Sequence, residues 1–506
     1  MEVVKQKNMR TEIQISGKAR EDLFSRFQNK LEVAHHLSRK IVSFQANKEE
    51  PFFRWFKYKE GFSSALVKYF LQEYGGNGKR ILDPFAGAGT TLFTAQEMGW
   101  QSFGVELLPV GIFAVKSRQS AMDAQAEKMR EYVRNFFHVQ KNHPDIHPKE
   151  VKAHIHHISI TKDAFPEKTE KLLNLFLDFC DSIKDEPIRT LLRFAAFSVL
   201  EEISYTRKDG QYLRWDYRSG RNLSGKPFDK GTIFSFEEAL LRKTDQIVSD
   251  IEPDDNLFLF DITDNERKKP EHPIHIIEGS CLSELPKFEN EYFDFIVTSP
   301  PYCNRYDYTR TYALELIYLG LDSQQIRDLR QTMLSCTVEN REKTEQLRTM
   351  YRSLKREKDF ETVLWTYNNS AAMTEINEGL DQLNREKLLN NTNVPRMVKN
   401  YFFEMCFILF ELARITKSGG YCVMVNDNVR YGGEEIPVDL ILSEFAEQLG
   451  WQVEKIFVLP RGKGNSSQQM GNYGRTEIRK SVYIWKKAVS KIVSKRFSGR
   501  KSGHAS

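Results

Sequence analysis

The 506 residues exceed what one hydrophobic core usually organises, so two or three structural units are expected. Lys and Arg number 74 against 69 Asp and Glu, and a formal charge of +5 does not by itself point to nucleic acid. No run of about 18 apolar residues occurs and Met1-Glu-Val-Val-Lys lacks a signal-peptide core, so a soluble cytoplasmic chain is expected.

Residues 1–50 are read as a helical extension. Lys79 to Glu106 then reads as strand, tight loop, helix and second strand, with the loop Asp83-Pro-Phe-Ala-Gly-Ala-Gly-Thr-Thr91 at its centre. Gly87 and Gly89 lack a Cβ and let backbone pass close to a ligand, while Thr90 and Thr91 open a helix whose free N–H groups face the same space. Glu106 ends the second strand, where a carboxylate accepts ribose hydroxyls. The third glycine of a pyrophosphate-binding loop is missing, so the spacing favours a nucleoside cofactor without phosphates, with S-adenosylmethionine as the candidate.

A long insertion follows, residues 121–271. Its five histidines from His143 to His157 come without cysteines or evenly spaced carboxylates, and no metal site is expected. Apolar spacing in Lys171–Cys180 and Arg189–Leu200 predicts two amphipathic helices forming a core of the insertion's own. From Ser204 to Arg221 basic and aromatic residues interleave around glycines. Arg207, Lys208, Arg214, Arg218 and Arg221 suit phosphates or guanine edges, and Tyr212, Trp215 and Tyr217 suit stacking; the alternative is a surface hairpin of cation–π pairs.

Tyr292–Val297 is an apolar run typical of a buried parallel strand, and Thr298-Ser-Pro-Pro-Tyr302 stops it. The two prolines fix the backbone, so the Ser299 hydroxyl and the Pro300 carbonyl, backed by Pro301, form a rigid acceptor pair for an exocyclic amino group. Tyr302 offers a face for a base taken out of a helix. Asn304 and Arg305 either grip the nucleic-acid backbone there or cap the helix beginning near Thr309. Residues 323–395 are rich in charge and helix formers and read as a solvated helical hairpin or pair. The six cysteines form no Cys-x-x-Cys pair and are expected to be reduced thiols. From Lys486 to Ser506 there are seven Lys or Arg and no acid, and residues 488–506 read as a basic tail.

Asp83–Thr91 resembles motif I, and Ser299–Tyr302 motif IV, of the S-adenosylmethionine-dependent amino-methyltransferases of DNA, which modify cytosine N4 or adenine N6. Trp55–Ser63 resembles motif X of that family; Arg414–Val425 resembles its helix, Gly-Gly turn and fifth strand, and Trp451–Arg461 with Lys480–Trp485 its closing antiparallel hairpin. The resemblance implies an α/β Rossmann-like fold with a mostly parallel seven-stranded sheet and two largely helical insertions. It divides the catalytic domain into residues 51–120, 272–322 and 396–487, and residues 121–271 are expected to hold the target-recognition region. It implies S-adenosylmethionine held by Lys59, Gly61, Phe62, Asp83, Pro84, Phe85, Ala86, Gly87, Gly89, Thr90, Thr91, Glu106 and Ser280. Where the family commonly carries Gly-Asp, the sequence reads Gly279-Ser280, so Ser280, Glu278 or a backbone group would meet the adenine. Serine at the head of motif IV is the form usual in cytosine-N4 enzymes. The expected activity is therefore methylation of cytosine N4 in duplex DNA with a flipped base, protecting it from a cognate restriction endonuclease. Adenine N6 comes second, followed by an RNA base methyltransferase and a noncatalytic sensor.

Overall fold

The computed structural model describes residues 17–142, 153–210, 212–221, 226–251, 272–460 and 478–488. In chain order the strands are β1 (Leu31–Val33), β2 (Arg80–Asp83), β3 (Gln101–Glu106), β4 (Thr206–Asp209), β5 (Tyr212–Trp215), β6 (Ile274–Glu278), β7 (Phe293–Thr298), β8 (Thr416–Asp427), β9 (Val429–Tyr431), β10 (Glu434–Ile436), β11 (Trp451–Val458) and β12 (Lys480–Lys487). Eight of them form one sheet in the order β1-β11-β12-β8-β7-β2-β3-β6, and β4–β5 and β9–β10 are separate antiparallel hairpins. Within the large sheet β12 alone runs antiparallel to its neighbours. The mostly parallel sheet with an antiparallel closing hairpin is thus present, and β1 adds an eighth strand through parallel pairing of Leu31–Val33 with Ile456–Val458.

Alternation along the strands buries both faces, as parallel sheets require. Leu82, Ile296, Met424 and Trp485 face one core, whereas Ile81, Val297, Val425 and Ile484 face the other. Helix Val394–Ile415 covers the first face and helix Ser64–Tyr74 the second. Among the described residues no helix is long and apolar enough to cross a membrane.

The insertion between β3 and β6 contains the two amphipathic helices expected, at Glu167–Asp181 and Glu186–Ser198. Its core is not its own. Phe176, Phe194 and Phe197 share one apolar cluster with Trp55, Phe56, Leu108, Val110 and Tyr312 of the catalytic frame. Asp250 reinforces the junction by accepting hydrogen bonds from the Phe52 N–H and the Trp55 indole (3.0 and 2.8 Å).

The second insertion also departs from expectation. Four helices occur instead of a hairpin or pair: Ser323–Thr332, Thr344–Ser353, Glu357–Asn368 and Ala371–Arg385. They are not merely solvated, because Leu347, Phe360, Val363, Ile376 and Leu380 join the core that covers the sheet. Each helix places its charges outward and a narrow apolar stripe inward, so a high overall charge conceals a core-facing surface.

Candidate active site

Parallel strands leave their C-terminal ends at one edge of the sheet, where loops after neighbouring strands meet. The loop after β2, the end of β3 and the Ser-Pro-Pro-Tyr segment after β7 meet there around a cleft of about 820 Å³, counted to its open mouth. Asp83 ties these pieces together. Its buried carboxylate accepts from the Thr91 hydroxyl (2.7 Å), the Thr298 hydroxyl (2.8 Å) and the Phe85 N–H (3.0 Å). Burial pushes its pKa up to about 6 against the opposing pull of those donors.

Gly87 has φ +52°, and a Cβ there would lie 2.9 Å from the Tyr58 ring. A bare backbone is what allows loop and tyrosine to close on the same space. The Glu106 carboxylate accepts from the Gly87 and Leu108 N–H groups, each at 2.6 Å. Burial raises its pKa to about 7, the backbone donors opposing. Behind the loop the buried Arg118 guanidinium donates to the Phe52, Phe53 and Ala88 carbonyls and crosses the Phe93 ring. Burial lowers its pKa to about 9.

Of the residues assigned to a cofactor, Gly61, Phe62, Asp83, Pro84, Phe85, Ala86, Gly87, Thr90, Glu106 and Ser280 line this one cleft. Thr91 lies behind it, bonded to Asp83, and Gly89 packs against Val115, where an added Cβ would come within 2.8 Å. Lys59 turns away, its ammonium donating to the Lys208 carbonyl. Glu278 is half exposed in an ion pair with Lys116, which leaves Gly279, Ser280 and Cys281 as the cleft wall on that side.

Ser299 and Pro301 line the same cleft. Pro300 is buried beside them, and the half-buried Tyr302 sets its hydroxyl 3.2 Å from Ser299 Oγ. Asn304 accepts from the Tyr306 N–H (3.1 Å), and Arg305, with φ +67°, donates to Asn390 (2.8 Å) in the second insertion.

Several lining residues carry no signal that the sequence reading used. Tyr58 stacks on Tyr312 with centroids 5.3 Å apart, and Glu60 accepts from both the Tyr306 and Tyr312 hydroxyls. Glu60 stands inside the motif X segment, between Lys59 and Gly61. Phe44 reaches the cleft from a short turn in the N-terminal extension, and Met333 and Leu334 reach it from the second insertion. Nothing local marks those three as site residues.

The basic-aromatic segment is a hairpin, β4–β5, but its cations divide. Lys208 is buried in an ion pair with Glu315 and sits 4.4 Å above the Tyr312 ring. Arg218 is held by both oxygens of the buried Asp216 (2.6 and 2.8 Å). Trp215 is covered by the Arg221 guanidinium at 3.6 Å. Arg207, Tyr212 and Arg214 point outward.

Of the histidine-rich stretch, residues 143–152 lie outside the described residues. His154 and His157 pair with Asp178 and Glu170 at 2.6 and 3.1 Å, and no cluster of three potential metal ligands occurs among the described residues. The basic tail from residue 489 also lies outside them. All six cysteines are buried and free.

A family model described as DNA methylase matches residues 3–110. Over 469 residues the chain is 45% identical to Type II methyltransferase M.AvaI of Nostoc sp., covering 92% of each. Over 473 residues it is 41% identical to Type II methyltransferase M.BsoBI of Geobacillus stearothermophilus, covering 90% of each. Type II methyltransferase M.MjaII of Methanocaldococcus jannaschii is 24% identical over 323 residues, which span 51% of this chain and 61% of that one.

Proposed function

The chain belongs to the Type II DNA methyltransferases of the N4/N6 amino kind, and on that premise we propose that it methylates cytosine N4 in duplex DNA, with S-adenosylmethionine as donor. The observation that carries this reading is the opening of Ser299 and Pro301 into the cleft built by Asp83–Thr90 and Glu106. Serine at the head of the motif supports cytosine over adenine.

The cleft suits the cofactor in shape and donor set. Gly87 spares the space a side chain would take, Glu106 stands at the strand end with lone pairs that would accept ribose hydroxyls, and Gly279–Cys281 would hold the adenine. Phe62 and Tyr58 give apolar walls. S-adenosylmethionine, when bound, supplies an electrophilic methyl group. The protein's part is orientation. A target base flipped from the duplex would stack on Tyr302, whose hydroxyl accepts a hydrogen bond from the Ser299 hydroxyl (3.2 Å) and so leaves the Ser299 Oγ lone pairs free. Ser299 Oγ and the Pro300 carbonyl then accept the two amino hydrogens, turning the nitrogen lone pair into the cleft. No covalent bond to the protein is required, and proximity and alignment do most of the work. The product protects its site from a cognate endonuclease.

Glu106 makes cofactor affinity depend on pH. Ribose hydroxyls donate to the ionised carboxylate, so affinity is expected to fall as pH drops through about 7. Between pH 8 and pH 6 the loss should approach tenfold, and Glu106→Gln should bind weakly with a flat profile, as measured by equilibrium titration with S-adenosylmethionine. For folding the sign is reversed. A carboxyl raised from 4.5 to about 7 holds its proton more tightly when folded, so its contribution to stability declines as pH rises through that window.

The reading is tested by mass spectrometry of nucleosides from plasmid DNA and total RNA of cells expressing the protein or Ser299→Ala. N4-methyldeoxycytidine lost in the variant is expected. N6-methyldeoxyadenosine instead would reassign the base, and a mark confined to RNA would refute the DNA substrate.

A further inference from the structure

We propose that hairpin β4–β5 is a two-stranded ribbon that enters the major groove and reads guanine through Arg207 and Arg214. The proposal rests on the DNA substrate above and assigns its recognition to particular side chains.

The register places Arg207 directly opposite Arg214, and Asp209 opposite Tyr212. These two rungs share one face. Arg207, Tyr212 and Arg214 are exposed, with Tyr212 at 57%, whereas Thr206, Lys208 and Leu213 point inward and are buried. Like charges on one rung destabilise a hairpin. Arg214 has partial relief from Asp209 at 3.2 Å and from the Phe228 ring at 4.0 Å, while Arg207 has no ion pair among the described residues. A rung of two arginines on an otherwise well-anchored ribbon is explained by an external partner rich in acceptors.

Base edges fit this face better than phosphates do. A carboxylate on the reading face opposes a track of phosphates, yet Asp209 is a suitable acceptor for a cytosine amino group, and arginine forks suit guanine O6 and N7. The major groove, about 12 Å wide, admits a two-stranded ribbon.

The inward face fixes the ribbon beside the chemistry. Lys208 pairs with Glu315 and lies over Tyr312, whose hydroxyl donates to the cleft residue Glu60, and Lys59 donates to the Lys208 carbonyl. The chain thus runs from reading face to methyl-transfer cleft through contiguous buried contacts, which holds the distance between recognised and modified bases. Arg207 and Lys208, adjacent in sequence, serve as reader and anchor.

The experiment uses the full chain on genomic DNA from an unmodified host, with methylated sites mapped by single-molecule sequencing for wild type, Arg207→Ala, Arg207→Lys and Arg214→Ala. Each variant is expected to accept other bases where wild type demands guanine. Discrimination should fall by roughly 5- to 150-fold, with S-adenosylmethionine affinity unchanged. Arg207→Lys is the stringent case, because it keeps the charge and loses the fork. An unchanged motif, written more slowly and with a salt slope reduced by about one in the alanine variants, would overturn the proposal in favour of phosphate contact. A wild type that marks no DNA would overturn both the proposal and the substrate beneath it, a result distinct from failure of the ribbon alone.

Discussion

Ser299→Ala is expected to lower the rate of methyl transfer on the order of a hundredfold while cofactor affinity stays close to wild type. The hydroxyl stands at the end of β7, and the two prolines behind it leave the acceptor pair little freedom to adjust. Removing Oγ takes away one of the two groups proposed to orient the amino nitrogen, but leaves the Glu106 and glycine-loop side of the cleft intact. The loss therefore belongs in the single-turnover rate. Pro300→Ala keeps the carbonyl and frees the backbone, so a smaller loss in the same rate is expected. Titration with S-adenosylmethionine and single-turnover methylation separate the two effects, and wild-type chemistry in Ser299→Ala would remove the hydroxyl from the mechanism.

Tyr302 bears on the same step. Its hydroxyl accepts a hydrogen bond from Ser299 Oγ at 3.2 Å. Donation in that direction leaves the Ser299 lone pairs unused, so Oγ can accept an amino hydrogen without breaking the contact. In the proposed clamp Tyr302 therefore holds the Ser299 hydroxyl in place while the base is bound.

The catalytic half of the fold was legible because its signals are local. An apolar strand followed at once by Gly-x-Gly-Thr-Thr or Ser-Pro-Pro-Tyr needs no distant information, and these segments lie where their patterns place them. β1 was not legible: Leu31-Glu-Val33 is too short to show a period, and its strand character comes from pairing with β11 more than 400 residues away. The basic hairpin was legible in composition but not in orientation. Arg207 and Lys208 are equivalent as cations, and which one is buried depends on Glu315 and Tyr312, over a hundred residues later. The same holds at the cleft. Met333 and Leu334 are ordinary apolar residues in a charged segment, and only the packing of the second insertion on the sheet makes them walls of the site.

That packing leads to the largest stability effect expected. Lys343→Met should destabilise the fold by about 3–5 kcal/mol, read as a lowered urea midpoint. The Lys343 ammonium contacts both Glu404 oxygens (2.9 and 3.1 Å) and Ser335 Oγ (2.9 Å), and both charged side chains are buried, at 7% and 1% exposure. Without the lysine, Glu404 keeps only the Ser335 donors and is left as a buried carboxylate short of a counter-charge. Burial already raises its pKa, and loss of the lysine raises it further. The folded variant then binds a proton that the unfolded chain releases, so its deficit should shrink as pH falls toward the ordinary carboxylate range. Lys343→Met combined with Glu404→Leu should recover most of the loss, because the cost lies in the unpaired charge and not in a missing attraction. Ser335 follows Met333 and Leu334 directly, so the single variant should also weaken S-adenosylmethionine binding at temperatures where it stays folded. A single variant as stable as the double one would mean that water reaches Glu404 and that the insertion is held to the sheet by its apolar faces alone.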